Sequence, residues 1–301
     1  LEGARTRLAA KISPDPPAFS FSAIVQLTLI NLLWGASSVA AKYCLDAFGP
    51  FTLTTLRFLP AGLLLLGLAH RKQSHPPIHR ADRPALLLLG AVGIALTYSL
   101  FYTGVSRTTA TDSSLLFACE PILIALFARL FLHERLRSYQ WIGLMVGLLG
   151  IWLITGQALG NRIALLALCF ETTTSVVGKR LAMIYSGLRI VGLQMLIGSL
   201  LLLPLAGWEM LHRPPTLSWQ AVSALLYLVL VCSALCYGIW YHLMGRFPIS
   251  TMGVFILLQP VVGPVFGTLL RGETLRPGSA VGGALVVIGI LLTSVHAQKR
   301  R

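Results

Sequence analysis

Two carboxylates, Glu120 and Glu171, and one guanidinium, Arg57, stand inside long apolar stretches, together with the rings of Trp34, Tyr98, Phe101, Tyr102, Tyr237, Trp240 and Tyr241. A charged group at the centre of a membrane helix costs roughly 2.5–3.5 kcal/mol on insertion scales, so each needs a partner or a proton. The chemistry open to such a set is solute binding and proton exchange. Arg57 is placed to form a structural ion pair with Glu120. Glu171 has no acidic counterpart in the first half of the chain. Because desolvation disfavours the charged form, it is the group expected to exchange a proton for solute. Aromatic faces beside a carboxylate suit an amino acid, an aromatic metabolite or an organic cation. The same rings recur at i, i+4, the spacing of an interface belt or a packing stripe, and that alternative stays open.

Other reactive side chains read as structural. His242 fits a simple hydrogen bond better than a proton relay, and Lys42 and Lys179 fit snorkelling helix ends better than pocket charges. His70, His75 and His79 share a loop that Pro76 and Pro77 keep from forming a helical metal site. The five cysteines, Cys44, Cys119, Cys169, Cys232 and Cys236, lie within apolar stretches and imply packing, with no disulfide framework. No phosphate-binding loop, nucleophile–base pair or metal-ligand set stands out, so neither an enzyme nor ATP-driven transport is expected, and no cofactor is implied.

The elements that must hold these groups are membrane helices. The 301 residues are 55% hydrophobic and 11% charged, with a mean hydropathy of +0.77, which is too apolar for a soluble chain. Stretches of about twenty apolar residues, enough for roughly 30 Å of hydrocarbon, are predicted at 23–43, 51–69, 84–104, 112–132, 139–157, 161–182, 188–208, 218–241, 249–270 and 276–296. Residues 1–22 read as a polar tail with no secretory core, and 297–301 as a basic tail. Pro121 and Pro260 fall near the middle of their spans and free the carbonyls of Phe117 and Ile256. Such breaks persist in lipid where neighbouring helices, water or a ligand compensate, so Glu120 and Gln259 beside them are expected to border a pocket; a plain packing kink is the alternative.

The spans fall into two copies. At a shift of 139, Tyr98 overlies Tyr237, Tyr102 overlies Tyr241, Arg107 overlies Arg246, Pro121 overlies Pro260 and Glu134 overlies Glu273. Upstream, a shift of 137 pairs Ser38 with Ser175, Lys42 with Lys179 and Arg57 with Gln194. The repeats are therefore expected at 23–157 and 161–296. Seventeen of the Lys and Arg residues fall on one side of this layout and five on the other, which places both termini in the cytoplasm. With five spans per half, the second half must enter the bilayer inverted. Inverted repeats provide two packings that can exchange roles, which favours a carrier over a channel. The net charge of +14 follows from topology and does not call for nucleic acid. Glu134 and Glu273 are expected to stabilise the helix N-termini of the fifth and tenth spans. Gly143/Gly147/Gly150 and Gly282/Gly283/Gly289 fit either close helix packing or homodimer contacts.

Leu33-Trp34-Gly35, Arg57-Phe58, Glu120-Pro121, His133-Glu134-Arg135-Leu136 and the repeated Gln259-Pro260 with Glu273 together resemble the drug/metabolite transporter superfamily, in its ten-helix EamA-like branch. The resemblance runs from about Ile24 to His296. It implies an all-α inner-membrane carrier of two inverted five-helix repeats, moving small organic solutes and often exporting amino acids or related metabolites through a pocket between the repeats. Glu171-Thr172-Thr173-Thr174 departs from the pattern, since an apolar or tryptophan-bearing stretch like that of the first span is expected there. The expected site comprises Trp34, Arg57, Tyr98, Glu120, Glu171, Trp240 and Gln259, working with the bilayer, a small solute and protons. Uptake or antiport of phosphorylated or nucleotide-linked sugars, and a non-transporting receptor or assembly partner, are the competing functions.

Overall fold

The computed structural model describes residues 20–72, 77–120, 122–123, 138–156, 159–247 and 249–294. Pro121, Glu134, His75 and the two expected tails, apart from Ser20–Ser22, lie outside them. The described residues form α1 (Phe21–Ala47), α2 (Pro50–Lys72), α3 (Arg80–Ser106) and α4, which starts as Ala110–Leu115 and tightens over Leu116–Cys119. They continue with α5 (Ser138–Thr155), α6 (Leu159–Ile184), α7 (Gly187–His212), α8 (Trp219–Met244), α9 (Ile249–Met252, Gly253–Leu258 and Gln259–Arg271) and α10 (Pro277–Ser294). Five of these, α1, α2, α3, α7 and α8, are long and apolar enough to cross a membrane. α6 has the length, but Arg162, Glu171, Lys179 and Arg180 lower its hydropathy.

Local chemistry sets the ends. Hydroxyls of Ser20, Thr109 and Ser218 accept from the first-turn amides of α1, α4 and α8, satisfying donors that have no partner within the helix. α9 stops at Gly272, whose φ of 62° is the left-handed conformation that favours glycine.

Each helix lies against its repeat partner or against the partner of its neighbour. α2 packs on α7, α4 on α9 and α5 on α10; α3 packs on α6 just as α8 packs on α1. The directions follow from individual contacts. Thr52 meets Ala206 and Glu209, while Gly62, ten residues on, meets Gly192 and Met195. Thr111 adjoins Gly267 and Ser114 adjoins Gly263; Gly150 lies on Gly282 and Gly143 on Gly289. Equivalent helices thus run antiparallel about a pseudo-two-fold axis perpendicular to them, and the repeats are inverted. Irregularities repeat as well. π-helical turns occupy Leu89–Leu96 in α3 and Tyr227–Cys236 in α8, and 3-10 turns at Leu116–Cys119 and Gly253–Leu258 lead into Glu120 and Gln259. Such turns commonly mark functional stretches of helix.

The glycines of α5 and α10 serve this intrachain contact. A Cβ on Gly150 would fall 2.6 Å from the Gly282 carbonyl oxygen and one on Gly282 would fall 2.7 Å from that of Gly150, whereas Gly67 has open space. Gly150→Leu should therefore push the two helices apart and cost about 1–3 kcal/mol, read as a lower unfolding midpoint in detergent. Gly67→Ala should leave the midpoint unchanged or slightly higher.

Exposed Trp152, Trp208 and Trp219 gather at the bundle end where α5 and α7 finish and α8 begins, the position of an interfacial aromatic belt. Exposed Arg71, Arg80, Arg83, Arg180 and Arg246 lie at the opposite end, while Arg107, Arg162, Arg213 and Arg276 are exposed at the tryptophan end.

Candidate solute site on the pseudo-two-fold axis

One cavity inside the bundle is lined by all of Trp34, Arg57, Tyr98, Glu120, Glu171, Trp240 and Gln259. Its wall is built from repeat pairs. Trp34 is equivalent to Glu171, Ser37 to Thr174, Arg57 to Gln194, Tyr98 to Tyr237, Phe101 to Trp240, Phe117 to Ile256 and Glu120 to Gln259, and all fourteen line it. In three pairs one member is ionisable and the other is not, so the backbone symmetry carries an asymmetric charge pattern.

Tyr98 and Tyr237 meet each other through their hydroxyls, so the axis passes between them. Both hydroxyls lie 3.2 Å from the same oxygen of Glu171, so at least one phenol donates to that carboxylate and the other donates either to it or to its partner phenol. Two phenolic protons serve these three oxygens, and both are used within the trio. What the trio offers the cavity is acceptor lone pairs and the second Glu171 oxygen. The 137-residue shift makes Glu171 the counterpart of Trp34, whose ring stands edge-on to Tyr237 at 5.1 Å and to Trp240 at 5.6 Å. Its indole nitrogen donates to the Cys232 carbonyl at 2.9 Å, a group in the π-helical part of α8. The departure read at Glu171-Thr172-Thr173-Thr174 is thus a carboxylate standing where symmetry would set a ring.

Arg57 is 3% exposed. Its Nε donates to Ser233 Oγ at 2.7 Å and its Nη1 to Tyr102 at 2.5 Å, while its guanidinium carbon sits 4.7 Å from the Phe58 centroid and 5.2 Å from that of Tyr98. The expected ion pair with Glu120 is not formed. α2 delivers Arg57 against α3 and α8, and hydroxyls and ring faces there meet its donors. The counterpart contact is neutral, with Tyr241 donating to Gln194 Oε1 at 2.5 Å.

Gln259 donates through Nε2 to Asn31 Oδ1 at 2.9 Å, and Asn31, fully buried, donates in turn to the Leu27 carbonyl at 2.8 Å. Glu120, 8% exposed, receives no hydrogen bond from the described residues. Pro260 is buried beside Gln259. Asn31 and Ser233 support the site without having been picked out from sequence, and Gln194 was named there only as the counterpart of Arg57. Asn31 carries a readable signal, being an amide in an otherwise apolar stretch; Ser233 carries none, because its role depends on α2 crossing α8.

Several polar residues lie away from the cavity. Lys42 donates to the Ser106 carbonyl at 3.4 Å, and its counterpart Lys179 bonds the carbonyls of Met244 and Phe247, the latter at 2.8 Å. Each lysine thus holds the C-terminus of a neighbouring helix, α3 or α8, where a cation is favoured. Glu273 accepts from the amides of Ala110 at 3.0 Å and Thr111 at 2.8 Å. It therefore caps α4 of the other repeat, correcting the expectation that it serves α10. His242 is exposed. Among the described residues no group of three or more metal-ligating side chains forms.

The profile described as the EamA-like transporter family matches this chain twice, over residues 21–156 and 158–295. An "Uncharacterized transporter" of Archaeoglobus fulgidus is 24% identical over 91% of this chain and 97% of its own length. "Uncharacterized transporter YetK" of Bacillus subtilis is 27% identical over 92% and 88%. A "Probable terminal-alkyne amino-acid exporter" of Streptantibioticus cattleyicolor is 29% identical over 93% and 95%. One solved crystal structure superposes with a TM-score of 0.65 at 21% identity, covering 91% of this chain and 96% of that one, a likeness of fold.

Proposed function

Since this chain belongs to the EamA-like transporter family, matched in both of its repeats, we propose that it is a secondary carrier exporting a small solute with an ammonium group, an amino acid or related amphipathic metabolite. It works across the bacterial inner membrane by alternating access, with protons as the coupling ion and both termini in the cytoplasm. The observation that carries this reading is the acceptor trio of Glu171, Tyr98 and Tyr237 on the axis between inverted repeats. A site on that axis faces either membrane side by exchanging the packings of the two halves. Its unused lone pairs select a hydrogen-bond donor. The Arg57 donors not bound to Ser233 or Tyr102 suit a carboxylate, and the rings of Trp34, Trp240 and Phe101 suit an apolar side chain. A relative named as an amino-acid exporter fits this class. Among the described residues Arg57 is the lone Lys or Arg on the cavity wall, and a phosphorylated sugar would call for more.

A thermal-shift screen of detergent-purified protein against L-phenylalanine, L-lysine, tetramethylammonium and glucose 6-phosphate tests the assignment. A ligand at 100 times its Kd stabilises the native state by about 2.7 kcal/mol. Amino acids should raise the midpoint of the wild type and leave Glu171→Gln unmoved, whereas tetramethylammonium, which has no N–H to donate, should give a smaller shift. A shift confined to the sugar phosphate would refute the reading.

A further inference from the structure

The cavity holds two carboxylates whose surroundings differ in kind. Glu171 has two phenolic hydroxyls within donor reach of one oxygen, at least one of them donating to it, and a hydrogen bond of that sort favours the ionised form. Glu120 is buried and has no donor among the described residues. The repeat provides an internal control. Its counterpart Gln259 is held by Asn31, and the position equivalent to Asn31 on the Glu120 side is the fully buried Leu168. The polar partner present in one half is thus replaced by a hydrocarbon in the other. An ionised carboxylate without a donor is costly in such a setting, whereas a protonated one is tolerated.

The titratable groups facing this part of α4 are Glu171 and Cys169 on α6, Tyr98 on α3, Arg57 on α2, and Tyr237 and Tyr241 on α8, with Cys119 next to it in the chain. Glu120 shares this cavity with the Glu171 carboxylate. Two carboxylates sharing one enclosed space do not readily ionise together. The hydrogen bonds decide which keeps the proton.

We propose that Glu120 carries the exchangeable proton of the transport cycle while Glu171 receives the solute's cation, the two being linked through the repulsion between their charges. This rests on the carrier reading above. An ammonium group beside Glu171 cancels the charge that keeps Glu120 neutral. The Glu120 O–H bond then breaks, its proton passes to water in the cavity, and the electron pair stays on the carboxylate. When the cation leaves, a proton returns from the opposite side. Solute and proton therefore occupy the cavity alternately, which is the requirement for antiport. The assignment moves the proton-exchange role from Glu171, where sequence placed it, to Glu120.

The test is an infrared pH titration of the purified full chain, following the C=O stretch of protonated carboxyl groups. A band present at pH 7 in the wild type should be lost in Glu120→Gln. In Glu171→Gln, which removes the repelling charge as a bound cation would, the band should persist at low pH. It should then titrate away about one pH unit or more below the wild-type position. A wild-type band that survives Glu120→Gln, or a Glu171→Gln titration superimposable on that of the wild type, overturns the proposal. The Glu171→Gln comparison stands alone should Glu120→Gln not fold. No solute is used, so a protein that fails to transport yet shows these bands would count against the carrier reading and leave the proton assignment intact.

Discussion

Glu171→Gln is expected to abolish solute stabilisation while leaving the bundle folded. The substitution keeps the shape and one acceptor oxygen for Tyr98 and Tyr237, which now lie 3.2 Å from the carboxylate, so the axis contact between the repeats survives. What is lost is the charge that an ammonium group would meet. Truncating one partner of an enclosed, hydrogen-bonded charge pair costs about 2–5 kcal/mol, or roughly 30- to several-thousand-fold in affinity. Glu171→Asp keeps the charge but withdraws it from the two phenols and should retain part of the affinity. The ligand-induced midpoint shift for the three proteins measures this directly. Equal shifts in wild type and Glu171→Gln would remove Glu171 from the site.

The second large effect is expected at Arg57 and concerns stability. Its guanidinium makes two hydrogen bonds inside the bundle, to Ser233 and Tyr102, and lies against Phe58 and Tyr98. Arg57→Leu leaves both hydroxyls without that partner and takes the positive charge away from a cavity holding Glu120 and Glu171. Hydrogen bonds to charged groups contribute about 1.5–3 kcal/mol each, while removing a buried charge recovers some desolvation. The net expected loss is about 2–4 kcal/mol. Arg57→Gln should cost less, because the other half already supports a glutamine beside a tyrosine at the equivalent place, Gln194 with Tyr241. Unfolding midpoints in detergent should therefore fall in the order wild type, Arg57→Gln, Arg57→Leu. A Leu variant as stable as the wild type would mean that Arg57 is kept for binding alone.

These two residues also show how far sequence reading reaches. Both are conspicuous because charge inside an apolar stretch demands an explanation, and the cavity does gather them with Trp34, Tyr98, Glu120, Trp240 and Gln259. The duplication is equally legible, since a gapless shift needs no structural knowledge. Partners are not legible. Sequence pointed Arg57 at Glu120, the nearest available opposite charge, yet the crossing of α2 with α3 and α8 gives it Tyr102 and Ser233 instead. The shift of 137 read upstream, against 139 further on, already set the Glu171 stretch against the tryptophan-bearing first span, but the one-to-one pairing of Glu171 with Trp34 was not drawn because their types differ. The two-residue change falls between Arg57 and Tyr98, before the matching π-helical turns of α3 and α8, whose ordinary apolar sequence gives no warning of a wider helix. Glu273 was read as serving its own helix because capping patterns are local in sequence, whereas here the cap crosses between repeats.

The central claim is that solute crosses the membrane through the axis site at Glu171. Counterflow in proteoliposomes tests it most directly: vesicles loaded with unlabelled L-phenylalanine or L-lysine are diluted into the labelled solute, with wild type compared against Glu171→Gln. The account predicts transient accumulation of label for the wild type with at least one of these amino acids, and for Glu171→Gln only the background of protein-free vesicles. Accumulation that is equal in the two proteins, or wild-type vesicles indistinguishable from protein-free ones with both amino acids, would contradict it.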